Sequence, residues 1–367
     1  MRCVLVGGGP IGLIAAASLR ADGHSVRLFD PRTDKPTMSL ALAESTLRLL
    51  EGLGIDQLLG ETLTSVHVSE QGVPGSMLLD AAELGYSRFG QIVPSEALEA
   101  QLIDQVSDVI EASAVDSIEP RSRTLPPRVT LATGEVIETD LVILADGGRS
   151  HLTEQLGFVP FTRAFARTAL LGRIHLSQPV SGRAYERFVG TGPLALLPLG
   201  DTLHGFVWSL DPSHARACVD DPEALVTLFE QTVDPILGSV SMANDPVALD
   251  LIERWIDQPY RPGVLLLGNG AQTIHPVAGQ GLNLALRGLR HVLDALAHDD
   301  PDEAVVQAMG RWRTDRDRTR FASSVLETIF DRPNPLRRLA TATSMSLLDQ
   351  SRFVKRQIAE AGMGLLS

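Results

Sequence analysis

The chain has 367 residues, 44% hydrophobic and 21% charged, which is the balance of a folded globular protein and excludes a disordered or fibrous one. Its 45 acidic residues outnumber 32 basic ones, and the net charge of −13 argues against nucleic acid as a partner and against general attraction to an anionic membrane. Two cysteines, Cys3 and Cys218, stand in no C-x-x-C arrangement, which argues against a redox dithiol or a cysteine-based zinc site and fits a reducing cytoplasm.

In chain order, Cys3–Val6 predicts a buried strand, Ile11–Ala21 a helix stopped by Gly23, and Val26–Phe29 a second strand ending at Asp30. The stretch from Cys3 to Leu19 has the apolar character of a secretory leader, but Gly7, Gly8, Gly9, Pro10 and Gly12 interrupt it. Leu40–Leu50 and Ser95–Ile110 read as helices. Val129–Ala132 and Val136–Glu138 read as a hairpin, and Leu141–Ala145 as a fully buried strand. Leu170–Leu176, Tyr185–Val189, Leu194–Leu197 and Gly205–Leu210 predict an antiparallel sheet. A helix over Pro222–Leu237 and a buried strand at Val264–Leu267 follow. The remainder predicts helices at Leu282–Ala297, Asp302–Ile329 and Leu336–Leu347.

Three glycine-rich turns carry the chemistry. Gly7-Gly8-Gly9-Pro10-Ile11-Gly12 is a G-x-G-x-x-G between a strand and a helix. Gly7 permits the turn, Gly9 lets backbone approach a pyrophosphate, and Gly12 lets helix and strand pack closely. The helix N-terminus offers unpaired N–H groups to that phosphate, and Asp30 stands where a carboxylate accepts ribose hydroxyls. This spacing reads as dinucleotide binding without separating NAD from FAD. The second turn, Ala145-Asp146-Gly147-Gly148, places a carboxylate at a strand end. The third runs from Gly268-Asn269-Gly270 through His275-Pro276 to Gly279-Gln280-Gly281-Leu282-Asn283. Its backbone N–H groups at a helix start would stabilise a developing anion. His275, directly before Pro276, reads either as a base or as a structural residue.

Together these residues resemble the group A flavoprotein aromatic hydroxylases, with the p-hydroxybenzoate hydroxylase fold, and within them the ubiquinone-biosynthesis branch that hydroxylates polyprenyl phenols. The three turns match the family's FAD motifs. Glu186-Arg187-Phe188, Gly192-Pro193-Leu194-Ala195-Leu196-Leu197-Pro198-Leu199 and Val207-Trp208 are similar to that branch's substrate sheet, and Arg316-Asp317 and Gly362-Met363-Gly364 fit it too. The resemblance implies an α/β fold with a Rossmann-type FAD domain (1–65, 90–160 and 255–300). That domain is interleaved with a mixed or antiparallel-sheet substrate domain (66–89 and 161–254), and C-terminal helices follow (301–367). It implies FAD held by Gly7, Gly9, Pro10, Ile11, Gly12 and Asp30, with Val115 touching adenine through its backbone. Asp146, Gly147 and Asn269 would meet the pyrophosphate–ribityl region, and Pro276 with Gly279, Gln280, Gly281, Leu282 and Asn283 would line the isoalloxazine.

The implied reaction is hydroxylation of a lipophilic phenol with O2 and NADPH or NADH, through a flavin C4a-hydroperoxide. A flavin-dependent reductase and a non-catalytic flavin-binding scaffold are the alternatives. Met38 and Ser39 stand where many relatives carry an arginine, and Gln101 is a candidate for a further cofactor contact. From Arg311 onward, eleven basic residues face six acidic ones. A basic amphipathic contact of Leu347–Phe353, Arg352, Lys355 and Arg356 with the inner face of the membrane, or a place in a ubiquinone-biosynthesis complex, stands beside the simpler expectation of a packed helix with solvated charges.

Overall fold

The computed structural model describes residues 1–31, 38–55, 57–233, 237–274, 280–296, 301–330 and 349–365, with backbone only at 280, 301 and 321–330. A six-stranded sheet forms one half of the molecule. Its order is Tyr260–Arg261, Val264–Leu266, Leu141–Leu144, Arg2–Val6, Ser25–Phe29, Ile110–Glu111. All neighbours are parallel except the edge strand Tyr260–Arg261. Parallel strands covered on both faces must be apolar throughout, which is why Val4, Leu5, Val142, Ile143 and Leu265 follow one another without alternation.

From Arg2–Val6 the chain builds outward through Ser25–Phe29 to Ile110–Glu111, then returns to add Leu141–Leu144 and Val264–Leu266 on the other side. The order reverses beside Arg2–Val6, and the crevice at the C-terminal ends of strands flanking such a point is where open α/β sheets hold ligands. Helix Pro10–Ala21 lies across the sheet with every residue from Gly12 to Leu19 buried. Pro10 occupies its first turn, where a missing N–H costs nothing. Burying a side chain such as Leu13 or Ile14 contributes about 1.5–3 kcal/mol.

The second large sheet has nine strands. Its main path runs Gln272–Thr273, Val247–Trp255, Phe161–Leu176, Leu203–Leu210, Gly192–Pro198, Arg183–Val189, Ser65–Glu70, Ser76–Asp80, with Val240–Met242 pairing to Phe161–Leu176. The predicted strands lie here, and the sheet is mixed, because Arg183–Val189 runs parallel to Ser65–Glu70. Helices Pro212–Asp220 and Pro222–Thr232 cover one face, each started by an Asp-Pro pair. Asp221 accepts from the N–H groups of Glu223 and Ala224. The predicted helix over Pro222–Leu237 is therefore shorter, with Val233 extended as its C-cap.

The expectation at Leu40–Leu50 fails at its start. Ser39–Ala43 is a strand paired with Gly90–Pro94, and the helix begins only at Glu44. Ser-Leu-Ala-Leu-Ala also has a strand's period of two, and cross-strand pairing decides between the readings. The 95–110 segment is helical over Ser95–Val106 and ends as a strand that joins the first sheet. C-terminal helices run over Pro301–Phe330 and Arg352–Gly362, while Leu336–Leu347 lies outside the described residues.

Candidate active site

The first glycine turn is built with no spare volume. Gly7 has φ +105°, and a Cβ there would lie 2.6 Å from the Ala145 carbonyl oxygen and 2.7 Å from the Asp146 Cα. A Cβ on Gly12 would stand 1.9 Å from the Gly7 carbonyl oxygen, so the helix can approach the strand only because that side chain is absent. The Gly8 N–H donates to the Asp30 Oδ2 at 3.0 Å, and Asp30 is buried beneath the turn. Gly9 caps the helix without a side-chain hydrogen bond, and Gly9, Pro10 and Ile11 are only half-buried. First-turn N–H groups with no capping side chain, beside backbone that glycine keeps bare, fit a dinucleotide phosphate.

The other two turns meet this one. The clashes at Gly7 place the second turn against the first, since both follow the C-terminal ends of adjacent strands. Gly147 and Gly148 both take positive φ, +77° and +70°, and the Asp146 carboxylate closes the turn by accepting from the N–H groups of Gly148 at 2.9 Å and Ser150 at 3.1 Å. A Cβ on Gly148 would meet the Asn269 carbonyl oxygen at 3.4 Å, and one on Gly268 the Ile11 Cγ1 at 3.4 Å. Asn269 sits exposed on the short helix Gly268–Gly270 at the rim of this junction. Three stretches separated by more than a hundred residues thus form one crevice at the reversal point of the sheet.

Beyond Ile274 the chain passes through His275, Pro276 and Gly279, which lie outside the described residues, and resumes with helix Gln280–Leu296. Gly281 and Leu282 are half-buried at its start. Asn283 turns inward: its Oδ1 accepts from the Ala43 N–H at 2.9 Å and the Thr46 hydroxyl at 2.8 Å, and its Nδ2 donates to the Ala41 carbonyl at 2.8 Å. Its side chain therefore fixes strand Ser39–Ala43 against the helix start. Val115 begins strand Val115–Glu119, four residues beyond Glu111, whose carbonyl accepts from the Asp30 N–H at 3.0 Å.

Two residues noted at the rim have partners within the fold. Gln101 donates its amide to the Gln57 carbonyl at 2.9 Å and so secures a connecting loop. The Met38 N–H donates to the Ser95 hydroxyl while its carbonyl accepts from the Ser95 N–H, so the segment without arginine is a backbone seam. The two cysteines are free and buried, and burial pushes the Cys3 thiol up to about 11, far from the reactive thiolate.

The large sheet reaches the second turn, where Arg254 donates to the Gly148 carbonyl at 3.4 Å. A Cβ on Gly205 would lie 3.0 Å from the Ser39 hydroxyl, so this face looks toward strand Ser39–Ala43. On it Gly205 pairs with Leu197, and Val207 with Ala195. Val207, Ala195, Leu197 and Pro193 are all half-buried, whereas the alternate residues Phe206, Trp208, Leu194 and Leu196 are buried under the helices of the other face. A row that is apolar yet still reached by solvent is not packed as a core, and it suits the wall of a binding chamber. Glu186, paired with Ala195, is the acid on this lining that the motif reading did not single out as a site residue. Its signal was a charge at the inward position of an alternating strand.

The C-terminal segment closes one side. Ala359 and Met363 pack with Met77, Leu79 and Phe89, and the Ser45 N–H donates to the Met363 carbonyl at 3.2 Å. Lys355 is buried between Asp349 and Glu83, at 3.2 and 3.6 Å, and Arg356 pairs with Glu360 at 2.8 Å. Two of the three cations named for a membrane contact, Lys355 and Arg356, are thus paired within the fold, while Arg352 and Phe353 remain exposed. Arg316, on the long helix Pro301–Phe330, bonds the Ile256 carbonyl and Asp257 at 3.0 and 3.2 Å. Among the described residues no helix is long and apolar enough to cross a membrane.

Comparison with known proteins agrees with this geometry. Residues 1–327 match the family described as FAD binding domain. The chain is 27% identical to a 3-demethoxyubiquinol 3-hydroxylase of Escherichia coli, over 80% of this chain and 79% of that one. It is 28% identical to a mitochondrial ubiquinone biosynthesis monooxygenase of Mus musculus, over 61% of this chain and 56% of that one, so it spans little more than half of that relative. Among solved structures, p-nitrophenol 4-monooxygenase from Pseudomonas putida superposes with a TM-score of 0.83 at 16% identity, covering 97% of this chain and 96% of that one. HpxO of Klebsiella pneumoniae, solved with FAD and uric acid, does so at 0.79 and 17% identity, covering 100% and 96%. The chain belongs to the FAD-binding-domain family, with FAD as its cofactor, and is a flavin-dependent monooxygenase.

Proposed function

We propose that the protein hydroxylates a lipophilic, electron-rich phenol of the prenylated, ubiquinone-precursor type, taking electrons from NADPH or NADH and oxygen from O2. The observation that carries this reading is the half-buried apolar row Pro193, Ala195, Leu197 and Val207 on the sheet face that looks toward strand Ser39–Ala43. The names of the E. coli and mouse relatives point to the same substrate class. Bound FAD supplies two-electron storage and oxygen activation.

In this reading the protein's own groups bind, orient and exclude water. The turn at Gly7, Gly9 and Gly12 with the N–H groups after Pro10 holds the pyrophosphate, Asp30 the adenosine ribose, and Val115 the adenine. Asp146, Gly147 and Asn269 border the ribityl chain. Pro276, Gly279, Gln280, Gly281 and Leu282 are the residues assigned to the flavin ring, and Asn283 fixes strand Ser39–Ala43 beside the helix start. The apolar wall keeps water from the oxygen-transfer step. An attachment of the exposed Arg352 and Phe353 to membrane, where such a phenol resides, belongs to the same reading, and loss of liposome flotation on removing residues 349–367 is its check.

The test is turnover of a panel of phenols with and without prenyl chains by the FAD-loaded protein, scoring hydroxylated product against NAD(P)H consumed. Product matching consumption in air and vanishing without O2 is the expected result. Consumption that proceeds anaerobically, with reduction of an organic acceptor, identifies a reductase instead.

A further inference from the structure

Strand Arg183–Val189 carries one acid, Glu186, and the pleat separates it from its charged neighbours. Arg187 lies on the helix-covered side, donating to the Thr232 carbonyl at 2.6 Å and the Ser69 hydroxyl at 3.1 Å, and Arg183 donates to the Ser65 hydroxyl at 3.1 Å. Glu186 takes the opposite face, between Ala195 on one neighbouring strand and Val68 on the other. It lies deep in the protein yet keeps part of its surface accessible, as a side chain lining an internal space does. Among the described residues no cation and no hydrogen-bond donor is recorded on its carboxylate.

The charged groups of the surrounding elements are held elsewhere. Glu70 is buried opposite Phe188, further along the neighbouring strand. Arg173, three strands away on the same face, lies 3.9 Å from Glu96. On neighbouring elements Glu44 pairs with Arg48 and Arg88, Lys355 with Asp349, Arg356 with Glu360, and the Nε of Arg287 with Asp315. Burial alone therefore sets the proton affinity of Glu186 and pushes its carboxyl up to about 7.

We propose that Glu186 is the catalytic base that removes the substrate's phenolic proton. The proposal rests on the phenol reading above and deepens it. The O–H bond breaks, its electron pair stays on the phenol oxygen and is shared into the ring, and the proton bonds to a Glu186 carboxylate oxygen. The ring so enriched is a better nucleophile at the ortho and para carbons; the carbon that takes one oxygen atom loses its own C–H proton to the second atom of O2, which leaves as water, and the proton on Glu186 returns to the phenol oxygen as aromaticity is restored. An ordinary carboxylate is a poor base for a phenol of pKa ≈ 10, and each unit of upward shift is worth tenfold in phenolate. A buried carboxylate with no partner among the described residues provides that shift.

Two readouts on the FAD-loaded protein test it. The first is thermal stability against pH for the natural protein and Glu186→Gln. Between pH 4.5 and about 7 the folded chain holds a proton that the unfolded chain has released, so stability falls as pH rises through that window and stays reduced above it. Glu186→Gln should melt roughly 2–5 °C higher than the natural protein at pH 8, with little difference near pH 4.5. The second is kcat against pH with a phenol that the natural protein converts. An ascending limb near pH 7 is expected, lost in Glu186→Gln together with about 10²–10⁴-fold of rate, and partly restored in Glu186→Asp. A Gln variant that keeps the rate and the limb overturns the proposal, and so does a missing stability difference. A protein that shows the stability difference but converts no phenol fails at the functional reading itself, and the base falls with it.

Discussion

The two faces of the nine-stranded sheet are made by the same strands, residue by alternate residue, and they do opposite work. Toward helices Pro212–Asp220 and Pro222–Thr232, Trp208, Phe206, Leu194 and Leu196 join Phe229 and Leu225 in a packed core, with the Phe206 and Phe229 rings edge-to-face at 4.9 Å and a small cavity at its edge beside Leu194, Leu196 and Tyr185. Toward strand Ser39–Ala43, the residues between them are Pro193, Ala195, Leu197, Gly205 and Val207, smaller or half-buried. A period of two makes both faces apolar here, so apolarity does not tell core from wall. Size and residual accessibility do. Each face also holds a titratable group that burial drives toward its neutral form, His204 under the helices and Glu186 on the opposite side.

The comparison can be broken most severely at Trp208. Trp208→Ala should cost about 3–5 kcal/mol in denaturant unfolding, because the closed face cannot refill the space, whereas Trp208→Phe should cost under about 1.5 kcal/mol. The milder loss is expected because the Trp208 indole N–H has no hydrogen-bond partner among the described residues. Ala195→Leu on the opposite face should reverse the pattern: stability changes by no more than about 1 kcal/mol, while kcat/KM for a phenol falls at least tenfold as the chamber fills. If Ala195→Leu instead destabilises as much as Trp208→Ala, the chamber is a core and the distinction between the faces is wrong.

The finest probe is acid. Burial lowers the His204 pKa, so below about pH 6.5 the unfolded chain takes up a proton before the folded one does, and stability is lost as pH falls. His204→Gln should flatten that acid limb by one or two degrees and leave unchanged the opposite trend that Glu186 imposes, a fall in stability as pH rises from 4.5 to about 7. Calorimetry of the two single variants and the double variant across pH 5–8 separates the faces by the sign of their response.

Much of this organisation is legible in the chain itself. Gly7, Gly12 and Gly268 are informative because few residues other than glycine satisfy a positive φ or a backbone approach under 3 Å, and such demands leave a readable pattern. Buried runs such as Leu141–Leu144 are equally plain. Ser39–Ala43 was misread because five small and apolar residues fit two periods, and its partner Gly90–Pro94 lies fifty residues away. Asp211-Pro212 announced a helix as clearly as Asp221-Pro222 but stood outside the expected boundaries. Glu186 was visible inside a family pattern without its meaning, since periodicity gives alternation but not which side is covered by helices. The engagement of Asn283 and Gln101 with backbone could not be read, because their partners at Ala41, Ala43 and Gln57 are set by tertiary placement.

The crevice at Gly7 has a consequence for the newborn protein. Its floor needs strands Arg2–Val6, Leu141–Leu144 and Val264–Leu266 side by side, so a ribosome must complete about three quarters of the polypeptide before the first turn has its neighbours. Flavin added to shorter chains should find no home, and such distant pairings assemble slowly. Until then the uncovered aliphatic strands invite aggregation, and cells short of riboflavin should accumulate the protein in inclusion bodies, since the vitamin's derivative favours the finished form by mass action.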